Sequence, residues 1–209
     1  FKPQRRIDTN VVPGSEEKLD MLQYCVQTLT ERGYVFIGMD HFAKPDDELS
    51  IALKEGFLQR NFQGYSTYAD CDLVAIGVSS IGKIGSTYSQ NERDIDAYYA
   101  ALDAGHLPIM RGYQLNQDDI LRRNIIQDLM CRFSLDYQIY ESVFGIPFSR
   151  YFAAELEDMK QLETLGLVRL KPHSLTVTPK GRFLIRNIAM VFDYHLRHKE
   201  TKAKYSQTV

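Results

Sequence analysis

The sequence predicts an α+β protein whose first half is of the α/β type and whose second half is mainly helical. Up to about residue 110, amphipathic helical patterns alternate with short apolar runs, and from residue 111 helical patterns dominate around one hairpin signal. The composition supports a folded chain, because 44% of the 209 residues are hydrophobic and 25% are charged, close to the average of globular domains. We therefore expect two domains, residues 1–110 and 111–209.

A helix and a buried strand are predicted for residues 15–38. Ser15 offers a helix cap, acidic residues fill the first turn, and apolar residues at helical spacing follow until Gly33. The apolar run over 34–38 fits a parallel strand covered on both faces, as in a β–α–β unit. Ligands bind at the carboxyl ends of such strands, so the Asp40–His41 pair that follows is a candidate general base. A structural hydrogen bond explains this pair equally well.

The rest of the first half is expected to contain two helices, a loop and a second strand. A helix is predicted over 45–56, whereas residues 57–70 mix aromatic and polar side chains without a period, which is typical of a loop that lines a site. Residues 73–78 predict an apolar strand, and the glycine-containing residues 77–82 resemble a backbone cradle for a ligand. Their spacing matches neither a dinucleotide fingerprint nor a P-loop. A further helix is predicted over 91–105.

The second half begins with a strong helix signal, a cap at Asn116 followed by an apolar face. A second helical stretch follows, a third is predicted over 149–166, a hairpin over 167–178, and a long helix from Pro179. Helices, a hairpin and a closing helix predict a winged-helix-like domain. The apolar faces are expected to consist of Leu121, Ile125, Leu129 and Met130 in the first helix and of Leu135, Ile139 and Val143 in the second.

The charge pattern argues against a nucleic-acid partner. Winged-helix domains often read DNA through a basic helix, but the formal net charge of this chain is −2. The candidate recognition helix from Ser149 to Leu165 is acidic, with Glu155, Glu157, Asp158 and Glu163 against Arg150 and Lys160. We therefore expect a structural or lid role for it. We interpret the basic residues near the end, Arg197, Lys199, Lys202 and Lys204, as a solvated terminus.

The cysteines and histidines predict no metal site. Cys25, Cys71 and Cys131 lie far apart in the sequence, which suggests reduced thiols in a cytoplasmic protein and excludes a local cysteine-rich cluster motif. His195 and His198 share a helical face, and an exposed tail explains them more simply than a metal does. No apolar run approaches the roughly 18 residues of a membrane helix, so we expect a soluble protein without a membrane partner.

Two segments together resemble a known family. Residues 38–49 (GMDHFAKPDDEL) followed by 61–67 (NFQGYST) resemble the oxygen-independent coproporphyrinogen III oxidases, radical S-adenosylmethionine enzymes of haem biosynthesis. The run Phe62–Tyr65 separates them from the related radical haem chaperones, which lack it. Further similar segments lie at 77–81, 111–113, 118–119, 122–123, 178–182 and 186–188. The resemblance extends over essentially the whole chain and corresponds to the C-terminal portion of the family.

The resemblance implies a fold and an activity. Residues 1–110 would be the C-terminal part of a partial (β/α) barrel, and residues 111–209 a helical domain that closes over its mouth. The complete enzyme would convert two propionates of coproporphyrinogen III to vinyl groups, giving protoporphyrinogen IX, and is expected to be a monomer. Because the chain begins with Phe1 and not with Met, we expect it to be part of a longer protein.

The resemblance also implies cofactors, S-adenosylmethionine and a [4Fe–4S] cluster. The cluster is bound by a Cys-x-x-x-Cys-x-x-Cys motif that is absent from this sequence, so the chain alone is expected to be inactive. Ile81 corresponds to a position that packs on S-adenosylmethionine. Phe62 and Gln63 belong to the signature loop that faces the second cofactor molecule and the substrate. The resemblance gives this chain no catalytic residue and no metal ligand.

Several arginines are candidates for binding the substrate propionates, because a guanidinium group matches a carboxylate in shape and charge. An ion pair at the surface or between domains is the simpler interpretation of each. A non-enzymatic module that binds tetrapyrroles, or a winged-helix interaction domain, remains the alternative to an enzyme. The candidate arginines are Arg60, Arg111, Arg122 and Arg123.

Overall fold

The computed structural model describes residues 7–8, 11–68 and 71–198, so most of the basic tail and the first six residues lie outside it. Its first elements are the helix α1 (Ser15–Glu31) and the strands β1 (Val35–Gly38) and β2 (His41–Ala43). The predicted helix is confirmed, and Gly33 follows it with a φ of 81°. The predicted cap is wrong, because Gly14 caps the helix and Ser15 is its first residue.

The pairing predicted for β1 is wrong. β1 pairs with β2 in an antiparallel hairpin, and in the described part of the chain every strand pairing is antiparallel. The reason is the tight turn at Met39 and Asp40, in which Met39 adopts a positive φ of 55° and the chain reverses at once. The Asp40–His41 pair therefore lies in a hairpin and not at the open end of a parallel strand.

The segment predicted as a loop over 57–70 contains a second hairpin. The helix predicted over 45–56 is confirmed as α2 (Glu48–Glu55), which begins three residues later than predicted. The Asp47 carboxylate caps it by accepting a 2.8 Å hydrogen bond from the backbone N–H of Leu49. The strands β3 (Gln59–Asn61) and β4 (Gly64–Ser66) follow and pair in antiparallel fashion. Their three residues each are too few to show an alternating pattern in the sequence.

A three-stranded antiparallel sheet completes the first half, in the order β5 (Ile81–Ile84), β6 (Thr87–Asn91) and β7 (Ile109–Gln114). The helix α3 (Ile95–Asp103) connects β6 to β7 and is capped by Asp94. The predicted domain boundary near residue 110 falls within β7. The division into two domains and the barrel remnant both stay predictions.

The strand predicted over 73–78 is wrong. Only Leu73 pairs, in an isolated bridge with Lys83, and the apolar side chains that follow are largely exposed. The buried amide of Asn91 explains this, because its Nδ2 donates to the carbonyl oxygens of Ala75 at 3.3 Å and Gly77 at 3.0 Å. Those carbonyls are therefore held in an irregular segment and are not used in a strand ladder.

The second half starts with the helix α4 (Gln117–Arg132), which is confirmed. Asn116 and Asp119 form a reciprocal capping box, and the four predicted apolar residues of the helix are buried. The apolar face predicted for the next helix is wrong, because Ile139 and Val143 are exposed. The buried residues of that helix are tyrosines, which pack with Phe148. The predicted second helical stretch is in fact the strand β8 (Ser134–Asp136), which contains Leu135, followed by the helix α5 (Tyr137–Phe144).

The helix predicted over 149–166 is divided into α6 (Phe148–Tyr151) and α7 (Ala153–Thr164). Phe152, at the break, is fully buried between the rings of Phe148 and Phe192 at 4.8 and 5.5 Å. The predicted hairpin is confirmed. It consists of β9 (Val168–Lys171) and β10 (Ser174–Val177), and β10 also pairs with β8. The winged-helix comparison stays a prediction.

The long helix predicted from Pro179 is wrong, because three short helices replace it. The carbonyl of Phe192 accepts a 3.2 Å hydrogen bond from Arg122, so it is not available to continue a helix, and Asp193 caps the next one. Arg197, expected in a solvated terminus, is bonded to Asp158. The three helices are α8 (Pro179–Arg182), α9 (Ile185–Met190) and α10 (Tyr194–Arg197).

One continuous core joins the two halves. It includes Ile37, Leu58 and Tyr65 from the first half and most of the buried residues of the second. Arg182 links them further, because its Nη2 donates to the carbonyls of Phe36 at 2.8 Å and Ile37 at 3.3 Å. Within the described residues, the helices are all too short or too polar to cross a membrane.

Candidate functional site

A cleft of about 930 Å³ opens beside the β3–β4 hairpin. Its walls come from that hairpin, from β5 and β6, and from the helices α4 and α9. Aromatic side chains and cationic side chains both line it, the latter being Arg60, Lys83, Arg123 and Arg186, with Asp72 and Asp193 as the carboxylates. The lining therefore suits a large ligand that has both an apolar body and negatively charged groups.

Phe62 and Gln63, two of the three predicted site residues, lie at the turn of the β3–β4 hairpin and line the cleft. The backbone N–H of Gln63 donates to Oδ1 of Asn61 at 2.8 Å, which holds the turn. The ring of Phe62 is 55% exposed and meets the ring of Tyr88 edge-on at 5.4 Å. More than half of the Phe62 side chain is therefore open to a ligand.

Ile81, the third predicted site residue, begins β5 and does not line the cleft. Lys83, two residues further along the same strand, does line it. Residues two apart in a strand point to the same face, so Ile81 belongs to the face that borders the cleft. Its role toward a cofactor stays a prediction.

The Asp40–His41 pair packs against the β3–β4 hairpin. His41 Nδ1 lies 2.7 Å from Oδ1 of Asp40, and its ring meets that of Tyr65 edge-on at 5.2 Å. A Cβ on Gly64 would lie 2.8 Å from Nε2 of His41, and Gly64 has a φ of 138°. His41 thus packs so closely under β4 that only glycine fits there, which favours the structural interpretation of the pair.

Tyr65 fixes the hairpin to the helix α4. Its hydroxyl donates a 3.0 Å hydrogen bond to the carbonyl of Met130, and Arg60 lies over its ring at 4.7 Å. Burial raises the pKa of Tyr65 to about 12, against a smaller opposing effect of the Arg60 charge. The phenol is therefore a neutral donor at physiological pH. A second link, from Nε2 of Gln127 to Oε1 of Gln59 at 2.9 Å, joins the same two elements.

The four candidate arginines differ in their surroundings. Arg122 is buried and bonded to Asp118 and Glu155 at 2.8 Å each, so it is a structural ion pair, and Arg111 is exposed and donates to Gln90 at 2.9 Å. Arg60 and Arg123 line the cleft, and each has an Nη1 atom that is buried without a hydrogen-bond partner.

The cysteines do not converge. Cys71 lines the cleft, Cys25 is exposed elsewhere, and burial raises the pKa of the Cys131 thiol to about 12. Among the residues that the structure describes, no group of three or more histidine, cysteine or acidic side chains is placed to hold a metal ion.

His195 is exposed, as the interpretation as an exposed tail predicts, but it lies in the helix α10 and its ring is bonded. Its side chain is half-exposed, and Nε2 lies 2.9 Å from Oδ1 of Asp119. Tyr113 donates to the other oxygen of the same carboxylate at 3.0 Å. These residues come from β7, α4 and α10, so they form a polar contact between distant parts of the chain.

Sequence reasoning missed the wall of the cleft that α4 and α9 supply. Asn124 and Gln127 lie on α4, and Arg186 on α9. Arg123 and Gln127 are four residues apart and therefore share a helix face, which was the one available signal. Nothing local in the sequence indicates that this face meets the β3–β4 hairpin.

Comparison with known proteins identifies relatives for the whole chain. Residues 115–184 match the family model described as HemN C-terminal domain. An oxygen-independent coproporphyrinogen III oxidase of Synechocystis sp. is 47% identical over 214 residues, covering 100% of this chain and 46% of that protein. The enzyme of the same name from Pseudomonas aeruginosa is 49% identical over 196 residues, covering 94% of this chain and 43% of that protein.

A solved structure agrees with these matches. Coproporphyrinogen III oxidase (HemN) from Escherichia coli, described as a radical SAM enzyme, superimposes with a TM-score of 0.88 at 46% sequence identity, covering 93% of this chain and 45% of that one. The mixed α+β fold is thus confirmed. The chain spans about half the length of the relatives it matches. Residues 115–184 match the model described as HemN C-terminal domain, and the whole chain is similar to a C-terminal portion of the oxygen-independent coproporphyrinogen III oxidases.

Proposed function

We propose that this chain is the C-terminal part of an oxygen-independent coproporphyrinogen III oxidase. The complete enzyme would oxidatively decarboxylate two propionates of coproporphyrinogen III to vinyl groups and so produce protoporphyrinogen IX in haem biosynthesis. The observation that carries the proposal is the cleft, in which Phe62 and Gln63 meet a cationic lining on a chain about 45–49% identical to enzymes of that name.

The substrate matches the cleft in size and in chemistry. Coproporphyrinogen III is a tetrapyrrole with four carboxylates, and sites for small molecules are usually about 300–1,000 Å³. The cleft volume of about 930 Å³ lies at the upper end of that range. Its four cationic side chains outnumber its two carboxylates, which favours an anionic ligand.

The residues present also fit S-adenosylmethionine. The exposed part of the Phe62 ring can cover a planar group, and the side-chain amide of Gln63 offers a donor and an acceptor. Ile81 lies on the strand face that borders the cleft. When bound, this cofactor supplies the radical that takes a hydrogen atom from the propionate. The chain's own contribution is to position the two ligands and to exclude water from them.

A [4Fe–4S] cluster does not fit the residues described, because their cysteines do not converge. We propose that its ligands belong to the part of the relatives that this chain does not match. We also propose that the complete enzyme is a cytoplasmic monomer. We further propose that it has no nucleic-acid partner, which the exposed Glu157 and Glu163 of α7 support.

The proposed activity can be tested on the protein purified anaerobically from the complete gene. Incubation with S-adenosylmethionine, a reductant and coproporphyrinogen III should release two carbon dioxide molecules for each protoporphyrinogen IX formed. The test variant is Phe62→Ala, which we expect to lower kcat/KM. It should leave the fold intact, because that side chain is already 55% exposed. Tight binding of coproporphyrin without any conversion would contradict the proposal and favour the non-enzymatic tetrapyrrole-binding module.

The 209-residue chain alone is expected to show no turnover, because it holds no cluster ligand set among its described residues. Anaerobic reconstitution with iron and sulfide, followed by absorption spectroscopy and iron analysis, measures this directly. A cluster bound near one per chain would overturn the expectation.

A further inference from the structure

Two arginines that line the cleft each carry a buried cationic donor with no protein partner. Nη1 of Arg60 on β3 and Nη1 of Arg123 on α4 are both shielded from solvent, and neither donates a hydrogen bond within the described chain. Buried polar groups are nearly always hydrogen-bonded, and a buried guanidinium without a partner is especially unfavourable. Two such groups on the walls of one cleft therefore indicate that a ligand completes them.

The carboxylates of the cleft do not fill this role. Oδ1 of Asp72 accepts from the backbone N–H of Gly85 at 2.7 Å, and Oδ1 of Asp193 accepts from that of Leu196 at 3.0 Å. Neither makes an ion pair with Arg60 or Arg123. The two guanidinium groups thus keep their charge available to the cleft.

The surrounding structure holds Arg60 in place without using this donor, and it joins the two elements that carry Arg60 and Arg123. Arg60 lies over the ring of Tyr65, whose hydroxyl is bonded to α4, and the Gln59–Gln127 hydrogen bond joins β3 to α4 next to both arginines. Because Arg60 is already held, less ordering is needed when a ligand arrives, which favours binding.

We propose that Arg60 and Arg123 bind carboxylate groups of the substrate. Arg111 and Arg122 do not take this role, because they already have protein partners. The planar guanidinium group donates two parallel hydrogen bonds to a carboxylate, a geometry that lysine cannot reproduce. The proposal rests on the proposed function for the identity of the carboxylates as propionates. The amino-acid carboxylate of S-adenosylmethionine is the other source of the same chemistry.

The first experiment measures binding of coproporphyrin III by fluorescence to the complete protein and to its Arg60→Gln and Arg123→Gln variants. Each substitution should raise Kd by about tenfold to a hundredfold. The tetramethyl ester of coproporphyrin III, which lacks carboxylates, should bind the parent and both variants with similar affinity. Arg111→Gln is the matched control and should leave both affinities unchanged.

Stability measurements keep this test independent of folding. Because each Nη1 atom has no partner, Arg60→Gln and Arg123→Gln should unfold at the same urea concentration as the parent protein or at a higher one. Arg123→Lys should remain weakened in binding although it keeps the charge. Equal affinities of the parent and the Gln variants for coproporphyrin III would overturn the proposal.

Steady-state kinetics distinguish the substrate carboxylates from the carboxylate of S-adenosylmethionine. They also test the arginine assignment separately from the proposed function. The variants should raise KM for coproporphyrinogen III and leave KM for S-adenosylmethionine unchanged; the reverse pattern would overturn the assignment to the substrate. Normal turnover with unchanged KM in both variants would overturn the arginine assignment and leave the proposed function standing. If both variants lose coproporphyrin binding and the parent protein binds it but never turns over, the proposed function is overturned and the arginine assignment stands.

Discussion

At the scale of a residue, Gly181 shows how little space the packing leaves. A Cβ at this position would overlap the carbonyl oxygen of Leu167 and lie 2.9 Å from Cγ1 of Val177. The backbone N–H of Gly181 also donates to the hydroxyl of Thr178 at 3.0 Å, so the chain cannot easily move away. We expect Gly181→Ala to lower the free energy of unfolding by about 3 kcal/mol, measured by urea denaturation. Gly14→Ala is the comparison and should cost about 1 kcal/mol or less, because no atom lies within 4 Å of a Cβ built there and only the cap of α1 is affected.

At the scale of an element, Arg122 joins α4 to α7 and to the segment before α10. Its guanidinium bonds to Asp118, Glu155 and the carbonyl of Phe192, and it lies 5.1 Å from the ring of Phe152. Removing Glu155 takes the carboxylate partner from the buried Nη1 of Arg122, although Asp118 still pairs with Nε, so Glu155→Ala should cost about 2–3 kcal/mol in unfolding free energy.

The exposed pair between Lys160 and Glu157 on α7 provides the comparison for that prediction. Lys160→Ala should cost less than about 1 kcal/mol, because ion pairs in water contribute little. Chemical denaturation of both variants measures the difference, and equal losses would contradict the structural role given to Arg122. Replacing the pair together, as Arg122→Met with Glu155→Met, should recover most of the loss.

The same scale shows which elements the sequence could predict. α4 and the β9–β10 hairpin are specified by signals close in sequence, the cap at Asn116 and the turn before Ser174, and both are confirmed. The strand prediction for residues 73–78 is wrong because Asn91 binds the carbonyls of Ala75 and Gly77, which lie 16 and 14 residues before it in the sequence. In the site, Phe62 and Gln63 could be placed by resemblance. The availability of Arg60 and Arg123 could not, since it depends on how β3 and α4 meet in space.

At the scale of the whole molecule, Asp119 connects the last strand of the first half to the last described helix. Its carboxylate accepts from the backbone N–H of Asn116 at 3.0 Å and from Tyr113 at 3.0 Å, and lies 2.9 Å from Nε2 of His195. Partial burial alone would raise the pKa of Asp119, but these hydrogen bonds outweigh it and hold the pKa below the ordinary value of 3.8.

A lowered pKa in the folded state predicts the sign of a pH effect. The ionised carboxylate stabilises the fold fully above the ordinary pKa of 3.8, and this contribution is lost as pH falls through the lower folded-state pKa. Asp119→Asn keeps an acceptor for the helix cap but removes the charge, so it should cost about 1 kcal/mol at pH 6. The cost should shrink steadily in urea denaturation series taken towards pH 3 and below. Tyr113→Phe, which removes one of the hydrogen bonds that lower this pKa, should move the acid-induced loss of stability to higher pH. A difference between Asp119→Asn and the parent protein that stays constant from pH 6 to pH 2 would show that the carboxylate charge does not hold β7, α4 and α10 together.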